Sequence, residues 1–191
     1  MEIKVLPLHE HWERLQDCCN LINSEWKRSE TARLRSLRAS CDKLPTSLIL
    51  LKAQKLIGHL KISPIPSIRN GCFIETVVID QVERGNGFGT ILMRKAEEYC
   101  KENLKLGVIF LSTKGQEGFY NKLGYIECQP ISIYGSFSLA GKTNLVSKNN
   151  LDTNVISILS NGNNNVPTAP PMPNINNKHL SISKTYMKKE L

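Results

Sequence analysis

Six residues, Arg84-Gly85-Asn86-Gly87-Phe88-Gly89, carry the clearest chemical signal in the chain. They follow the β-branched run Phe73 to Ile79 (FIETVVI) and lead into Phe88, Ile91, Leu92, Ala96, Tyr99 and Cys100 at helical intervals, a pattern that predicts strand, loop, helix. Glycines at such a turn let backbone amides approach a ligand, and the helix N-terminus favours negative charge. The chemistry that fits is capture of a phosphate or pyrophosphate. The same glycines would also serve a plain chain reversal, so the loop needs context before it specifies a ligand. Two phosphate sites are excluded by spacing. A dinucleotide fingerprint needs its third glycine one residue later, and Gly141-Lys142-Thr143 has the ending of a P-loop but Gly135 lies one position too far upstream.

The elements that must hold this loop follow from periodicity. Ile3, Val5 and Leu8 open a strand; Trp12, Leu15, Cys19 and Ile22 recur at helical spacing. Ser29 caps a second helix through Leu34, Leu37 and Cys41, which Pro45 is expected to stop. Leu48 to Ala53 and Leu56 to Ile62 read as a hairpin turning at Gln54-Lys55 without the favoured glycine. Pro64, Pro66 and Asn70-Gly71 are read as a loop. Beyond the glycine loop and its helix come a strand at Val108 to Leu111, a short helix at Gln116 to Leu123 and an extended segment from Tyr125 to Phe137. Residues 139–178 are rich in Asn, Ser, Gly and Pro, with NGNNN at 161–165 and PTAPPMP at 167–173, and are expected to form a flexible insertion. His179 to Met187 alternates well enough to be a final strand returning to the sheet.

Composition narrows the class. With 191 residues, 40% hydrophobic and 22% charged, the chain suits one globular domain over 1–191, and no apolar run is long enough to span a membrane. Met1 to Leu8 lacks the basic start and apolar core of a secretory signal, so a cytoplasmic location is expected. Cys18, Cys19, Cys41, Cys72, Cys100 and Cys128 lack C-x-x-C spacing and are read as reduced thiols. With His9, His11, His59 and His179 scattered, no metal site is expected. A formal charge of +8 favours an anionic partner: nucleic acid, an acidic protein or a phosphorylated cofactor.

The segment VVIDQVERGNGFGTILM, Val77 to Met93, resembles the acetyl-CoA-binding motif of the GNAT acetyltransferases. FLSTKGQEGFYNKLGYIE, with Phe119-Tyr120-Asn121-Lys122-Leu123-Gly124-Tyr125, resembles the strand and helix that follow it in that family. The resemblance covers roughly Ile3 to Phe137 plus the last strand, and implies an α/β (α+β) fold: a mixed, mostly antiparallel, splayed β-sheet flanked by helices. Within the family, SEWKRSETARLRSL, FIETVVI and LSTKGQEGFYNKLGY resemble the acetyltransferases of processed actin N-termini. This implies acetyl-CoA as cofactor, actin as substrate and profilin as a partner, engaged through Pro167, Pro170, Pro171 and Pro173.

Site roles follow from the same resemblance. The backbone of Val77 and Ile79 would hold the pantetheine arm, and Arg84, Gly85, Asn86, Gly87, Gly89 and Thr90 the pyrophosphate, with Thr113 also at the cofactor. Tyr120 matches the family's general acid, and a phenol is protonated at neutral pH. An α-amine with a pKa of about 7.7 to 8.0 is partly neutral already, so a strong base is unnecessary. Glu75 is the candidate proton relay; simple alternation puts its side chain on the face of Val77 and Ile79, and orienting a substrate amide or pairing with an arginine is the competing role. Trp26, Lys27, Arg28, Arg33, Arg35 and Arg38, with only Glu30 among them, suit a substrate that begins with Asp or Glu; Trp26, Arg28, Arg33, Arg38 and Thr76 are assigned to it. A solvated helix face is the alternative reading of the arginines. Acetylation of a lysine or small amine, nucleic-acid binding and a profilin adaptor stand as alternative functions.

Overall fold

The computed structural model describes residues 2–133 and 184–191. The first strand, β1 (Ile3–Pro7), leads through two 3-10 turns into α1 (Leu15–Glu25). A second helix, α2 (Glu30–Arg38), begins at Ser29, whose hydroxyl accepts from the Ala32 amide at 3.5 Å. It ends well before Pro45, because the chain has already turned at Ala39 and residues 40–45 form the approach to the next strand. That corrects the expected stop. His9 ties this approach down, with Nδ1 3.0 Å from Ser40 Oγ and Nε2 2.9 Å from Asp42 Oδ1.

A long antiparallel meander follows: β2 (Thr46–Lys52), β3 (Lys55–Ile65) and β4 (Ile68–Ile79). The first turn is Ala53-Gln54, one residue earlier than expected, and both residues adopt positive φ, 46° and 71°. This left-handed pair suits the right-handed twist of a tight hairpin, even without glycine. The region 64–71 is a hairpin rather than a loop: Pro64 lies within β3 and Asn70-Gly71 within β4. Asn70 spends its turn-forming groups elsewhere, since its backbone carbonyl and Oδ1 accept from the Gly107 amide at 3.1 and 2.9 Å and so anchor the start of the next strand.

The glycine loop follows β4 and opens α3 (Phe88–Glu102), after which come β5 (Val108–Thr113), α4 (Glu117–Lys122), the short β6 (Ile126–Cys128) and β7 (Thr185–Glu190). The sheet order is β1-β2-β3-β4-β5-β7-β6, antiparallel except between β4 and β5, so the last strand enters between β5 and β6. The insertion expected at 139–178 lies outside the described residues, as does most of the strand expected from His179.

Two layers of side chains bury the sheet. Leu92, Met93, Ala96 and Cys100 of α3 pack on Leu60, Ile62, Cys72, Ile74, Ile109 and Leu111. On the opposite face Cys18, Cys19 and Ile22 of α1 and Leu37 of α2 pack on Ile49, Leu51, Leu56 and Val78. Both sets reflect one rule, apolar positions three to four apart on helices against alternate positions on strands. Further along that second face Phe73 and Phe110 lie beneath Ile131 and Ile133. The cysteines are free thiols, and Cys72 and Cys100 meet at 3.6 Å between β4 and α3. No helix among the described residues is long and apolar enough to cross a membrane.

Candidate functional site

β4 and β5 run in parallel only from Gly71/Val108 to Ile74/Leu111, although β4 continues to Ile79 and β5 to Thr113. Past Ile74 the two strands separate. Among the described residues the backbone groups of β4 on that side have no strand partner, and a ligand that lay in the opening could take them as a further strand would. Val77 and Ile79 both belong to this stretch, and the Ile79 carbonyl also accepts from Arg84 Nε at 3.0 Å.

At the mouth of the opening the glycine loop turns into α3. Gly85 and Gly87 both have φ near +80°, and a Cβ on either would meet nothing within 4 Å, so glycine is required there by backbone conformation and leaves the concave side open. Gly87 is the N-cap and offers no side chain, which leaves the first amides of a fifteen-residue helix free to face an anion. Gly89 lies in the first turn of α3 facing Phe119 of α4, where a Cβ would meet the ring at 3.4 Å, an ordinary van der Waals distance. Three braces fix the loop. Asn86 Nδ2 donates to the Glu83 carbonyl at 3.2 Å, Lys52 pairs with Glu83 at 2.7 Å, and Arg84 reaches back to Glu25 of α1 at 2.6 Å. The Arg84 side chain therefore points to α1 and the β4 end, while its amide belongs to the loop.

Tyr120 sits on α4 between Phe119 and Tyr125, edge-on to both at centroid distances of 5.0 and 5.9 Å. Burial pushes its phenol up to about 12, so it remains a proton donor throughout the neutral range. Thr113, at the end of β5 past the last β4 pair, is 8% exposed and lies opposite Thr185 of β7.

The other face carries a second constellation, created by a β-bulge. Across β3 and β4, Lys61 faces Thr76 while Ile62 faces Ile74, so Glu75 is an extra residue and both Glu75 and Thr76 oppose Lys61. The bulge reverses the side-chain parity of β4: Ile74 and Val77, three apart, both pack against the α3-side core. Glu75 accordingly points away from Val77 and Ile79, against the expectation from simple alternation. Its carboxylate is 3.2 Å from Lys61 Nζ, which also donates to Ser36 Oγ of α2 at 3.3 Å. Beside Glu75 a cavity of about 610 Å³ opens against Phe73, Ser112, Ile131, Lys184 and Tyr186.

Among the cations of the first two helices, Arg33 donates through Nε to Asn23 Oδ1 at 3.1 Å and through Nη2 to the Trp26 carbonyl at 2.8 Å, closing the α1–α2 turn. Burial, then the charge of Arg28, pulls its pKa down. Trp26 is half exposed at the end of α1, and Arg28 is exposed beside it. Arg38 lies instead in a cleft with Trp12 and Leu15, apart from the Lys61 cluster. His59, on β3 opposite Val78, is 1% exposed with both ring nitrogens unpaired among the described residues, and burial, with Lys61 and Arg33 nearby, lowers its pKa to about 3. Sequence reading assigns no site role to Lys61, His59, Ser112, Lys184 or Tyr186. A signal existed for the first two, since both interrupt the otherwise apolar Leu56 to Ile65 run.

A splayed parallel pair, a glycine turn at a helix N-terminus and a tyrosine on the next helix together describe an acyltransferase scaffold, and the sequence model of the acetyltransferase (GNAT) family matches residues 10–125. The chain belongs to this family, whose acyl donor is acetyl-CoA. It is 34% identical over 126 residues to N-alpha-acetyltransferase 80 of Mus musculus, an alignment covering 62% of this chain and 40% of that protein. The chain thus aligns with less than half the length of that relative. An aminoglycoside 6'-N-acetyltransferase complexed with coenzyme A superposes with a TM-score of 0.58 at 15% identity, covering 68% of this chain and 87% of the other. A GNAT acetyltransferase from Streptococcus pneumoniae gives 0.55 at 16% identity, over 67% and 87%. These two likenesses concern the fold.

Proposed function

We propose that the chain is an N-terminal protein acetyltransferase acting on the free α-amino group of an acidic, Asp- or Glu-starting terminus, with processed actin as the substrate. The reading treats 1–191 as one transferase domain interrupted at 139–178, with residues 167–173 as the contact for profilin. The observation that carries it is the arrangement of the β4–β5 opening: an anion-ready glycine turn on one side, and a cavity beside Glu75 and Lys61 on the other.

Gly85, Asn86, Gly87, Gly89 and Thr90 would hold the pyrophosphate of acetyl-CoA through backbone amides, as does the amide of Arg84, while Val77 and Ile79 offer backbone groups to its arm and Thr113 borders it. When bound, the cofactor supplies an acetyl thioester. Tyr120 keeps a proton at its hydroxyl and would donate it to the sulfur of the leaving group. Glu75, paired with Lys61, would take the proton of the α-amine through water. Trp26 and Thr76 border the acceptor, and Arg28 and Arg33 set a positive potential over it. Support for an α-amine as acceptor comes from the identity with an N-alpha-acetyltransferase.

Turnover on a peptide beginning Asp-Asp, compared with its N-terminally blocked form and with a lysine-bearing blocked peptide, tests the reading. Only the free acidic terminus is expected to react; acetylation of the blocked lysine peptide instead would replace it with a side-chain acetyltransferase.

A further inference from the structure

We propose that Lys61 selects the acidic side chain of the acceptor, releasing part of its contact with Glu75 to receive a carboxylate; this rests on the acceptor reading above. Four observations converge on it. First, of the arginines near the site, Arg33 already spends two of its donor groups on Asn23 and the Trp26 carbonyl, and Arg38 faces Trp12 and Leu15. Second, Lys61 Nζ has three hydrogens, and only two have partners among the described residues, Ser36 Oγ and Glu75 Oε2. Third, the ammonium stands on a strand in the middle of the sheet and is steadied from α2, so its position is fixed more tightly than that of a charge on a loop.

Fourth, the bulge sets Thr76 opposite Lys61 and next to Glu75, and Glu75 itself lines the cavity, so the ammonium is one ion pair away from the cavity wall. The pair Lys61–Glu75 is 3.2 Å apart with side chains 18% and 30% exposed, neither sealed in the core nor free in water. The third hydrogen of the ammonium can turn to an incoming carboxylate while part of the contact with Glu75 is kept, so neither acid is left without a cation. An uncharged isostere brings no replacement charge and leaves the original pair in place.

The experiment compares kcat/KM on peptides that begin Asp-Asp and Asn-Asn and are otherwise identical, for the wild type, Lys61→Met and Lys61→Arg. Acetyl-CoA affinity and Tm serve as controls for the fold. The Asp/Asn ratio is expected to fall by about 10- to 100-fold in Lys61→Met, the loss that one charged hydrogen bond represents, mostly through KM, and to recover largely in Lys61→Arg. An equal loss on both peptides, with the ratio preserved, would overturn the inference and leave Lys61 as a group that only positions Glu75. Wild type that ignores the difference, or acetylates neither peptide, would instead bring down the acceptor reading and the inference with it. Should Lys61→Met fail to fold, Lys61→Gln gives the same two readouts.

Discussion

The donor side and the acceptor side of the β4–β5 opening are built from different materials. On the proposed donor side the groups that would face a ligand are backbone amides of one continuous segment, 84–90, set by two glycines at positive φ and a helix start. On the acceptor side they are side chains from α2, β3, β4, β5 and β7, brought together by a register shift and ion pairs. A site made of one segment's backbone depends on few residues, each strongly. A site made of scattered side chains spreads its dependence, and can change its ligand without changing the fold.

The largest effect is expected where the two sides meet. Tyr120→Phe should lower kcat by about 10²- to 10⁴-fold while acetyl-CoA affinity, read by calorimetry, and peptide KM stay close to wild type. Because burial raises the Tyr120 pKa to about 12, kcat should show no alkaline decline from this group below roughly pH 11; a decline near pH 10 that Tyr120→Phe removes would place the phenol in water instead.

Next comes the buried imidazole of the acceptor side. His59 is held neutral, with its pKa lowered to about 3 from 6.5, so its contribution to stability is complete above pH 6.5 and is lost as pH falls through 3. Between pH 7 and pH 4.5 this one group should cost about 3 kcal/mol, and His59→Leu should lose that much less over the same interval in urea unfolding. Parallel curves for the two proteins would mean that the ring is solvated.

On the donor side, Gly87→Val forces a β-branched residue into the left-handed region at φ +80°, a strain of about 1 to 2 kcal/mol. Acetyl-CoA affinity should weaken by about tenfold or more by calorimetry, with the Asp/Asn preference of residual turnover unchanged. The smallest effect belongs to the brace between the sides: Arg84 and Glu25 are partly exposed, and an exposed pair contributes under about 1 kcal/mol. Glu25→Gln should therefore shift acetyl-CoA affinity by no more than about fivefold. A larger shift would show that α1 controls the glycine turn and that the two sides are not independent.

This contrast also explains what the sequence made readable. The strand, glycine loop and helix from Phe73 to Glu102 follow from periodicity and glycine spacing, because contiguous residues carry the geometry. Tyr120 came within reach through the family motif around it. Glu75 was read on the wrong face, since a bulge is a property of two strands in register and leaves no mark on β4 alone. Lys61 was missed for the same reason: its neighbours are Ser36 and Glu75, 25 and 14 residues away. The Pro64 to Gly71 stretch carried turn residues that the structure uses inside strands, where Asn70 bonds Gly107 across the sheet.

The place of β7 has a consequence for what a shorter chain would keep. The segment proposed to face the pyrophosphate is complete by residue 102, whereas β6 pairs, among the described residues, only with β7, and the proposed acceptor cavity takes Lys184 and Tyr186 into its wall. Lys189 then clasps the buried Glu97 of α3 at 2.6 Å, fastening the last strand described to the helix that the glycine turn opens. A chain cut before residue 184 would therefore keep the glycine turn and α3 but leave β6 without its neighbour and strip one wall from the cavity beside Glu75.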